Sequence, residues 1–223
     1  KGQIMDAKHP LSSAFTRTDV EITRKTTSFE RYFRIDEYHL RHVQHAGGMG
    51  PELSREVFER GHAVCALLYD PDLELLVFIE QFRVGALAAM ESPWYGEDVS
   101  PWLIEIVAGI IEDGEEPVEV IRREAIEEAG CKVHETELIS HYLVSPGGTS
   151  ESMFSFCGRV DATGVGGIHG VEEEGEDIRV FTLSPEEAFN IMDEGLIYNS
   201  MTLIAMQWFR LHHHRLREKW RKT

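Results

Sequence analysis

The chain has 223 residues, of which 42% are hydrophobic, and a formal net charge of −17. This length and composition allow one substantial core with enough residues left for a small accessory domain. Because an acidic surface repels nucleic-acid backbones and offers no basic stripe, we expect neither DNA nor RNA as a partner.

We also expect neither membrane insertion nor secretion. No apolar run reaches the roughly 18 residues of a membrane-spanning helix, and the first residues lack the apolar segment of a secretion signal. The cysteines Cys65, Cys131 and Cys157 are odd in number and lie among apolar residues, which indicates reduced core thiols. We therefore expect no membrane contact and a cytoplasmic location.

The first part of the chain predicts β-structure. Residues 1–17 are polar and lack periodicity, so we expect a loosely ordered lead. Residues 20–43 alternate charged and apolar side chains, which is typical of two or three antiparallel strands. A turn-rich loop over residues 45–54 follows. These features predict a small antiparallel β domain over residues 1–55 and a second domain over residues 56–223.

The second domain alternates strands with a few helices. Predicted strands begin near Glu56 and then cover residues 62–70, 73–83, 102–109, 132–144 and 152–162. Residues 84–100 form a long surface connection. Ser184 and Pro185 begin a helix with a capping box, and a last helix begins near Asn199. This order predicts an α/β fold with a mixed sheet.

Residues 109–131 read GIIEDGEEPVEVIRREAIEEAGC and predict an acidic helix. Pro117 suits its first turn, and Gly130 can end it in a left-handed cap. Glu124, Glu127 and Glu128 are spaced by three and four residues, so they project towards one broad side. Crowded carboxylates repel one another unless a cation compensates, and their hard oxygens select Mg²⁺ or Mn²⁺. A solvated acidic face is the alternative interpretation of this spacing.

The same residues match the Nudix box, G-x5-E-x7-R-E-U-x-E-E-x-G-U, at every fixed position. Those positions are Gly109, Glu115, Arg123, Glu124, Glu127, Glu128 and Gly130. A chance match of this kind is on the order of one in a million at average residue frequencies. The chain therefore resembles the Nudix hydrolases, which cleave a nucleoside diphosphate linked to another group. The resemblance implies a Nudix α/β/α sandwich with a mixed β-sheet, plus the small N-terminal β domain.

The resemblance also implies a metal site. Glu124 and Glu128 would be the main ligands of Mg²⁺, for which Mn²⁺ is a possible substitute. Glu127 and the backbone carbonyl of Ala108 would assist them. Arg123 would orient the glutamates through charge-assisted hydrogen bonds.

A second acidic run, residues 172–177, is implied to supply the catalytic base. In similar enzymes a glutamate of this loop accepts the proton of the attacking water, and another, two residues later, reaches the metal. Flanking residues align Glu174 with the base and Glu176 with the ligand, while a shift of one residue would make Glu173 the base. Taken alone, the run is typical of a solvated charged loop.

The loop SPGGTSE points to a branch of the family. Pro146 stands 16 residues after Gly130, as in the branch that hydrolyses nucleoside diphosphate sugars, chiefly ADP-ribose. The resemblance extends from about Val20 to the end of the chain. It implies Mg²⁺-dependent conversion of ADP-ribose and water into AMP and ribose 5-phosphate. Hydrolysis of another sugar nucleotide, such as GDP-mannose, and non-catalytic sensing of ADP-ribose remain alternatives.

Substrate contacts follow from the same resemblance. Arg55, Arg60 and Arg83 suit bidentate contact with the diphosphate. Tyr32 and Phe33 would stack near the adenine, although packing in the β domain is an equal alternative. Further contacts are implied for Glu56, Ile110, Ser145, Pro146, Gly147 and Glu151. The implied assembly is a homodimer with exchanged N-terminal β domains.

Overall fold

The computed structural model describes residues 13–96, 99–171 and 175–221. These residues fall into two compact units. The first comprises the chain up to Arg60 together with residues 145–150, and the second comprises residues 61–144 and the chain from Glu151 onwards.

The first unit is a three-stranded antiparallel sheet in the order β1-β2-β3. Its strands are β1 (Val20–Glu30), β2 (Arg34–His42) and β3 (Leu53–Glu59). Strand β3 begins at Leu53, earlier than its apolar pattern indicates, because Leu53 already pairs with Leu40 of β2. Residues 145–150 join this unit, since the Phe58 N–H donates to the Gly148 carbonyl at 2.8 Å. Asp36 is the one buried side chain among the described residues of the unit.

The second unit is built on an eight-stranded mixed sheet. Its main path runs β10-β11-β5-β4-β9-β8, with β6 paired to β5 and β7 paired to β4. Strands β4 and β9 are parallel, and the other pairs are antiparallel. The strands are β4 (His62–Asp70), β5 (Leu75–Phe82), β6 (Trp102–Glu105), β7 (Val107–Ile111), β8 (Glu135–Leu143), β9 (Ser152–Arg159), β10 (Gly167–His169) and β11 (Ile178–Leu183).

Helices cover both faces of this sheet. The helices are α1 (Val84–Ala89), α2 (Pro117–Ala129), α3 (Pro185–Asp193) and α4 (Ser200–Trp220). Strand β4 divides the core by alternation: Val64 and Leu68 pack in one cluster with Ile121 of α2. Cys65, Leu67 and Tyr69 pack in the other cluster with Phe209 of α4. The predicted α/β/α sandwich and the separate small antiparallel sheet are therefore confirmed.

Two details differ from the pattern in the sequence. The predicted strand over residues 102–109 is two strands separated at Ile106, because β6 pairs with β5 while β7 pairs with β4. The predicted surface connection of residues 84–100 contains the short helix α1.

The two C-terminal helices begin as expected, with capping side chains from Ser184 and Asn199. No helix within the described residues combines the length and the apolar character that a membrane crossing needs.

Candidate active site

Helix α2 carries the carboxylates of the motif and has well-defined ends. Pro117 occupies its first turn, and Gly130 ends it with a φ of 63°. The Cys131 N–H donates to the Ala125 carbonyl at 2.8 Å, which completes the C-terminal cap. The small side chains of Ala125 and Cys131 are both buried in the core. The helix boundaries therefore follow from the two residues that predicted them.

Glu128 is the most enclosed carboxylate of the motif. Its side chain is buried at 3% exposure, and one carboxylate oxygen, Oε2, accepts the Ala108 N–H from β7 at 2.9 Å. Burial is the main cause that raises the pKa of Glu128 to about 8, and the negative charges of Glu124 and Glu176 raise it further. A carboxylate this confined is pre-positioned beside the β7 backbone.

Glu124 lies against the same strand, next to Gly109. A Cβ atom at position 109 would lie 2.1 Å from Oε1 of Glu124, so only glycine leaves room for this carboxylate. Burial raises the pKa of Glu124 to about 7, opposed by the positive charge of Arg123. The first glycine of the motif thus has a steric reason: it lets a carboxylate approach the strand.

Arg123 links the acids of the motif. Its Nη1 atom lies 2.9 Å from Oε1 of Glu124 and 3.1 Å from Oε2 of Glu127. Its Nη2 atom lies 3.9 Å from Oε1 of Glu115, and the other carboxylate oxygen of Glu115, Oε2, accepts the Glu112 N–H at 2.9 Å. One guanidinium group therefore restrains carboxylates from the helix and from the preceding loop.

Glu176 belongs to the same electrostatic environment. Its negative charge raises the pKa of both Glu124 and Glu128. Its Oε2 atom accepts the Val171 N–H at 2.9 Å. The predicted base, Glu174, and its alternative, Glu173, lie outside the described residues. We call Glu124, Glu127, Glu128 and Glu176 the acidic cluster.

The acidic cluster suits a hard divalent cation in its donor chemistry. Carboxylate oxygens and the Ala108 carbonyl are the ligand types that Mg²⁺ and Mn²⁺ prefer. Desolvation is the main cause of the raised pKa values of Glu124 and Glu128, with a smaller contribution from neighbouring acids, and a bound cation would favour the charged form of both groups. Within the described ranges, no three Asp, Glu, His or Cys side chains converge into a ready-made ion site. Arg123, Ala108 and Val171 already engage the carboxylates.

Arg83 follows β5 and has a buried acidic partner. Its Nε and Nη2 atoms each lie 2.9 Å from Oε2 of Glu105, whose side chain is buried. Gln81 donates to the same oxygen at 3.3 Å. Sequence reasoning missed Glu105 and Gln81. An acid inside the apolar strand sequence WLIEIVAG was the available signal, because a buried charge requires a partner.

Three predicted substrate residues meet in the first unit. Tyr32 and Phe33 form an edge-to-face pair with ring centroids 4.8 Å apart, and Arg60 lies over the Phe33 ring at 5.4 Å. Tyr32 is 84% exposed and Phe33 is 40% exposed, so neither ring is buried in this unit.

The remaining predicted contacts are distributed over both units. Arg55 and Glu56 lie on β3, opposite Tyr38 and Glu37 of β2. The turn that contains Ser145, Pro146 and Gly147 closes through N–H groups of Gly148 and Thr149, which donate to the Ser145 carbonyl. In the second unit, Ile110 is exposed on β7, and the Glu151 carbonyl accepts the Val144 N–H at 3.1 Å.

The α/β/α sandwich and its acidic helix can be assigned to a family by comparison with known proteins. The NUDIX domain model matches residues 59–201. The chain belongs to the Nudix family.

Individual relatives agree with this assignment. The chain is 45% identical to an ADP-ribose pyrophosphatase of Escherichia coli K12, over 94% of this chain and 97% of that protein. It is 34% identical to a GDP-mannose pyrophosphatase of Cronobacter sakazakii, over 70% and 78%. A crystal structure of an ADP compounds hydrolase superposes with a TM-score of 0.67 at 17% identity, over 92% of this chain and all of that one.

Proposed function

We propose that the protein is an ADP-ribose pyrophosphatase that hydrolyses ADP-ribose to AMP and ribose 5-phosphate with Mg²⁺ as its cofactor. The observation that carries this proposal is a pair of carboxylates held against β7 in a Nudix chain: Glu128, which is buried, and Glu124, which is partly buried. The ADP-ribose pyrophosphatase relative aligns with 94% of the chain, which supports the choice of substrate.

The acidic cluster and the Ala108 carbonyl are the groups that would hold the cation, and Mn²⁺ is a possible substitute. When bound, the cation neutralises diphosphate charge and acidifies the attacking water. The Ala108 N–H restrains one oxygen of Glu128. Arg123 restrains Glu124 and Glu127, which keeps their oxygens from separating under mutual repulsion.

Glu174 is the proposed general base, with Glu173 as the alternative. It would accept the proton of the attacking water as the new phosphorus–oxygen bond forms. The bond from that phosphorus to the bridging oxygen of the diphosphate would break in the same displacement, and the other phosphate would leave with the bridging oxygen. The influence of Glu176 on the pKa values of Glu124 and Glu128 supports a base from the same segment of the chain.

Substrate recognition is proposed to use charge and planar stacking. Arg83, together with Arg55 and Arg60, would bind the diphosphate. The exposed rings of Tyr32 and Phe33 would receive the adenine. Glu56, Ile110, Ser145, Pro146, Gly147 and Glu151 complete the proposed contacts. The cytoplasmic location expected from the sequence stays a prediction.

We also propose a homodimer that exchanges N-terminal β domains. The support is the first unit itself, because a three-stranded sheet that buries Asp36 alone among its described residues has little core of its own. Analytical ultracentrifugation of the purified chain should give a dimer of 25.4 kDa subunits. A monomer at micromolar concentration would contradict this part of the proposal.

A substrate comparison tests the proposed reaction. The purified protein is incubated with ADP-ribose, GDP-mannose and other nucleoside diphosphate sugars in the presence of Mg²⁺, and the products are separated by chromatography. We expect AMP to form from ADP-ribose faster than any other product. A Glu128→Gln preparation, purified in parallel, controls for contaminating hydrolases. Equal or faster turnover of GDP-mannose would favour that alternative, and binding of ADP-ribose without products would favour a sensor.

A further inference from the structure

Glu105 is a buried acid that the proposed mechanism does not yet use. It lies on β6 opposite Ile79, at 3% exposure. Two N–H groups donate to its Oε2 atom, Nε of Arg83 at 2.9 Å and Nε2 of Gln81 at 3.3 Å, and Nη2 of Arg83 lies 2.9 Å from the same oxygen. A buried carboxylate is costly to desolvate, so this arrangement is not one that stability alone would favour.

The contact uses one particular edge of the guanidinium group. Glu105 engages Nε and Nη2, which leaves Nη1 of Arg83 without a hydrogen bond to the rest of the described chain. The Arg83 side chain is 43% exposed. Its outward edge is therefore held in a fixed direction, and such an edge matches two oxygens of a phosphate group.

We propose that Glu105 is a positioning residue for the reaction: it holds Arg83 by its Nε–Nη2 edge and directs the opposite edge at the diphosphate. The inference rests on the proposed function, because Arg83 must contact the diphosphate for its orientation to affect turnover.

A double-mutant cycle separates positioning from a structural role. Glu105→Ala, Arg83→Ala and the double variant are compared with the parent by kcat and KM. We expect each single change to lower kcat/KM by about 10- to 100-fold, mainly through KM. The double variant should lie within about threefold of Arg83→Ala, because both changes remove one unit. Losses that multiply in the double variant would overturn the inference.

Conservative and control variants sharpen this cycle. Glu105→Gln keeps an oxygen acceptor without the charge, so it should lower kcat/KM less than Glu105→Ala does. In the Arg83→Ala background it should cause no further decrease in kcat/KM. A Glu105→Gln effect on kcat/KM of the same size in both backgrounds would contradict the proposal. If Glu105→Ala does not melt cooperatively, the comparison of Glu105→Gln in the two backgrounds replaces it as the test. Glu80→Ala removes an acid of β5 that pairs with Arg179 of β11, and it should leave kcat/KM within about twofold of the parent.

The cycle distinguishes failure of this inference from failure of the proposed function. It is measured with whichever nucleoside diphosphate sugar the parent hydrolyses fastest. A different preferred substrate would therefore correct the proposed function and leave the cycle valid. If ADP-ribose is the fastest substrate and the decreases in kcat/KM of the two single variants multiply in the double variant, only the role of Glu105 is contradicted.

Discussion

Glu128→Gln should lower kcat for ADP-ribose on the order of a thousandfold, equivalent to about 4 kcal/mol of activation free energy. Glutamine has nearly the same shape but lacks the negative charge that would hold the cation. The Ala108 N–H still finds an oxygen acceptor, so the fold should remain intact. Steady-state kinetics at saturating substrate and Mg²⁺, together with circular dichroism, measure both expectations.

Glu119→Gln is the matched control for this change. Glu119 lies on the same helix, is 67% exposed and pairs with Arg122. Its replacement should leave kcat within about twofold of the parent, because exposed ion pairs contribute little. If Glu128→Gln instead keeps a tenth or more of the parent kcat, the assignment of Glu128 as a metal ligand is wrong.

Glu128→Gln also has a predictable effect on thermal stability when a chelator keeps the protein free of metal. The folded-state pKa of Glu128 is raised from 4.5 to about 8, so the folded protein binds this proton more tightly than the unfolded chain. The contribution of Glu128 to the free energy of unfolding is therefore most favourable below pH 4.5 and is lost as pH rises to about 8. Glutamine does not titrate. Glu128→Gln should raise Tm more at pH 8 than at pH 5, as measured by calorimetry.

Gly109→Ala should lower activity by about 100-fold while the melting temperature changes little. The added Cβ would lie 2.1 Å from Oε1 and 2.4 Å from Cδ of Glu124, so this carboxylate must move from its place beside β7. The atoms that must move belong to a side chain at the edge of the core, which limits the cost in stability. Kinetics at increasing Mg²⁺ should show a higher half-saturating concentration.

Gly96→Ala is the control for this substitution. A Cβ at Gly96 meets no atom of the described part of the chain within 4 Å, so the variant should resemble the parent in kcat and in Mg²⁺ dependence. Parent-like activity of Gly109→Ala would show that the position of Glu124 beside β7 is unimportant for turnover.

Much of the fold follows from local signals in the sequence. Pro117 and Gly130 predict both ends of α2 because each has a backbone preference that suits one end of a helix. Ser184 likewise predicts the start of α3 through its capping box. The break at Ile106 was missed, since it depends on which neighbour each half of the strand pairs with, and an apolar run contains no such information.

The candidate site is less accessible to sequence reasoning. Spacing places Glu124 and Glu128 on one helix, but the burial of Glu128 and the close approach of Glu124 to Gly109 depend on the strand that packs against them. The link between Arg83 and Glu105 spans 22 residues and two paired strands. Contacts of this kind arise from strand register, which the sequence pattern of either strand alone does not determine.

The most direct test of the account is the metal dependence of ADP-ribose hydrolysis by the parent protein. The protein is stripped with EDTA, and formation of AMP and ribose 5-phosphate is followed before and after Mg²⁺ is added back. We predict no turnover above the Glu128→Gln control after stripping and full recovery with Mg²⁺. Undiminished hydrolysis in excess EDTA would contradict a role for the acidic cluster in holding a catalytic cation.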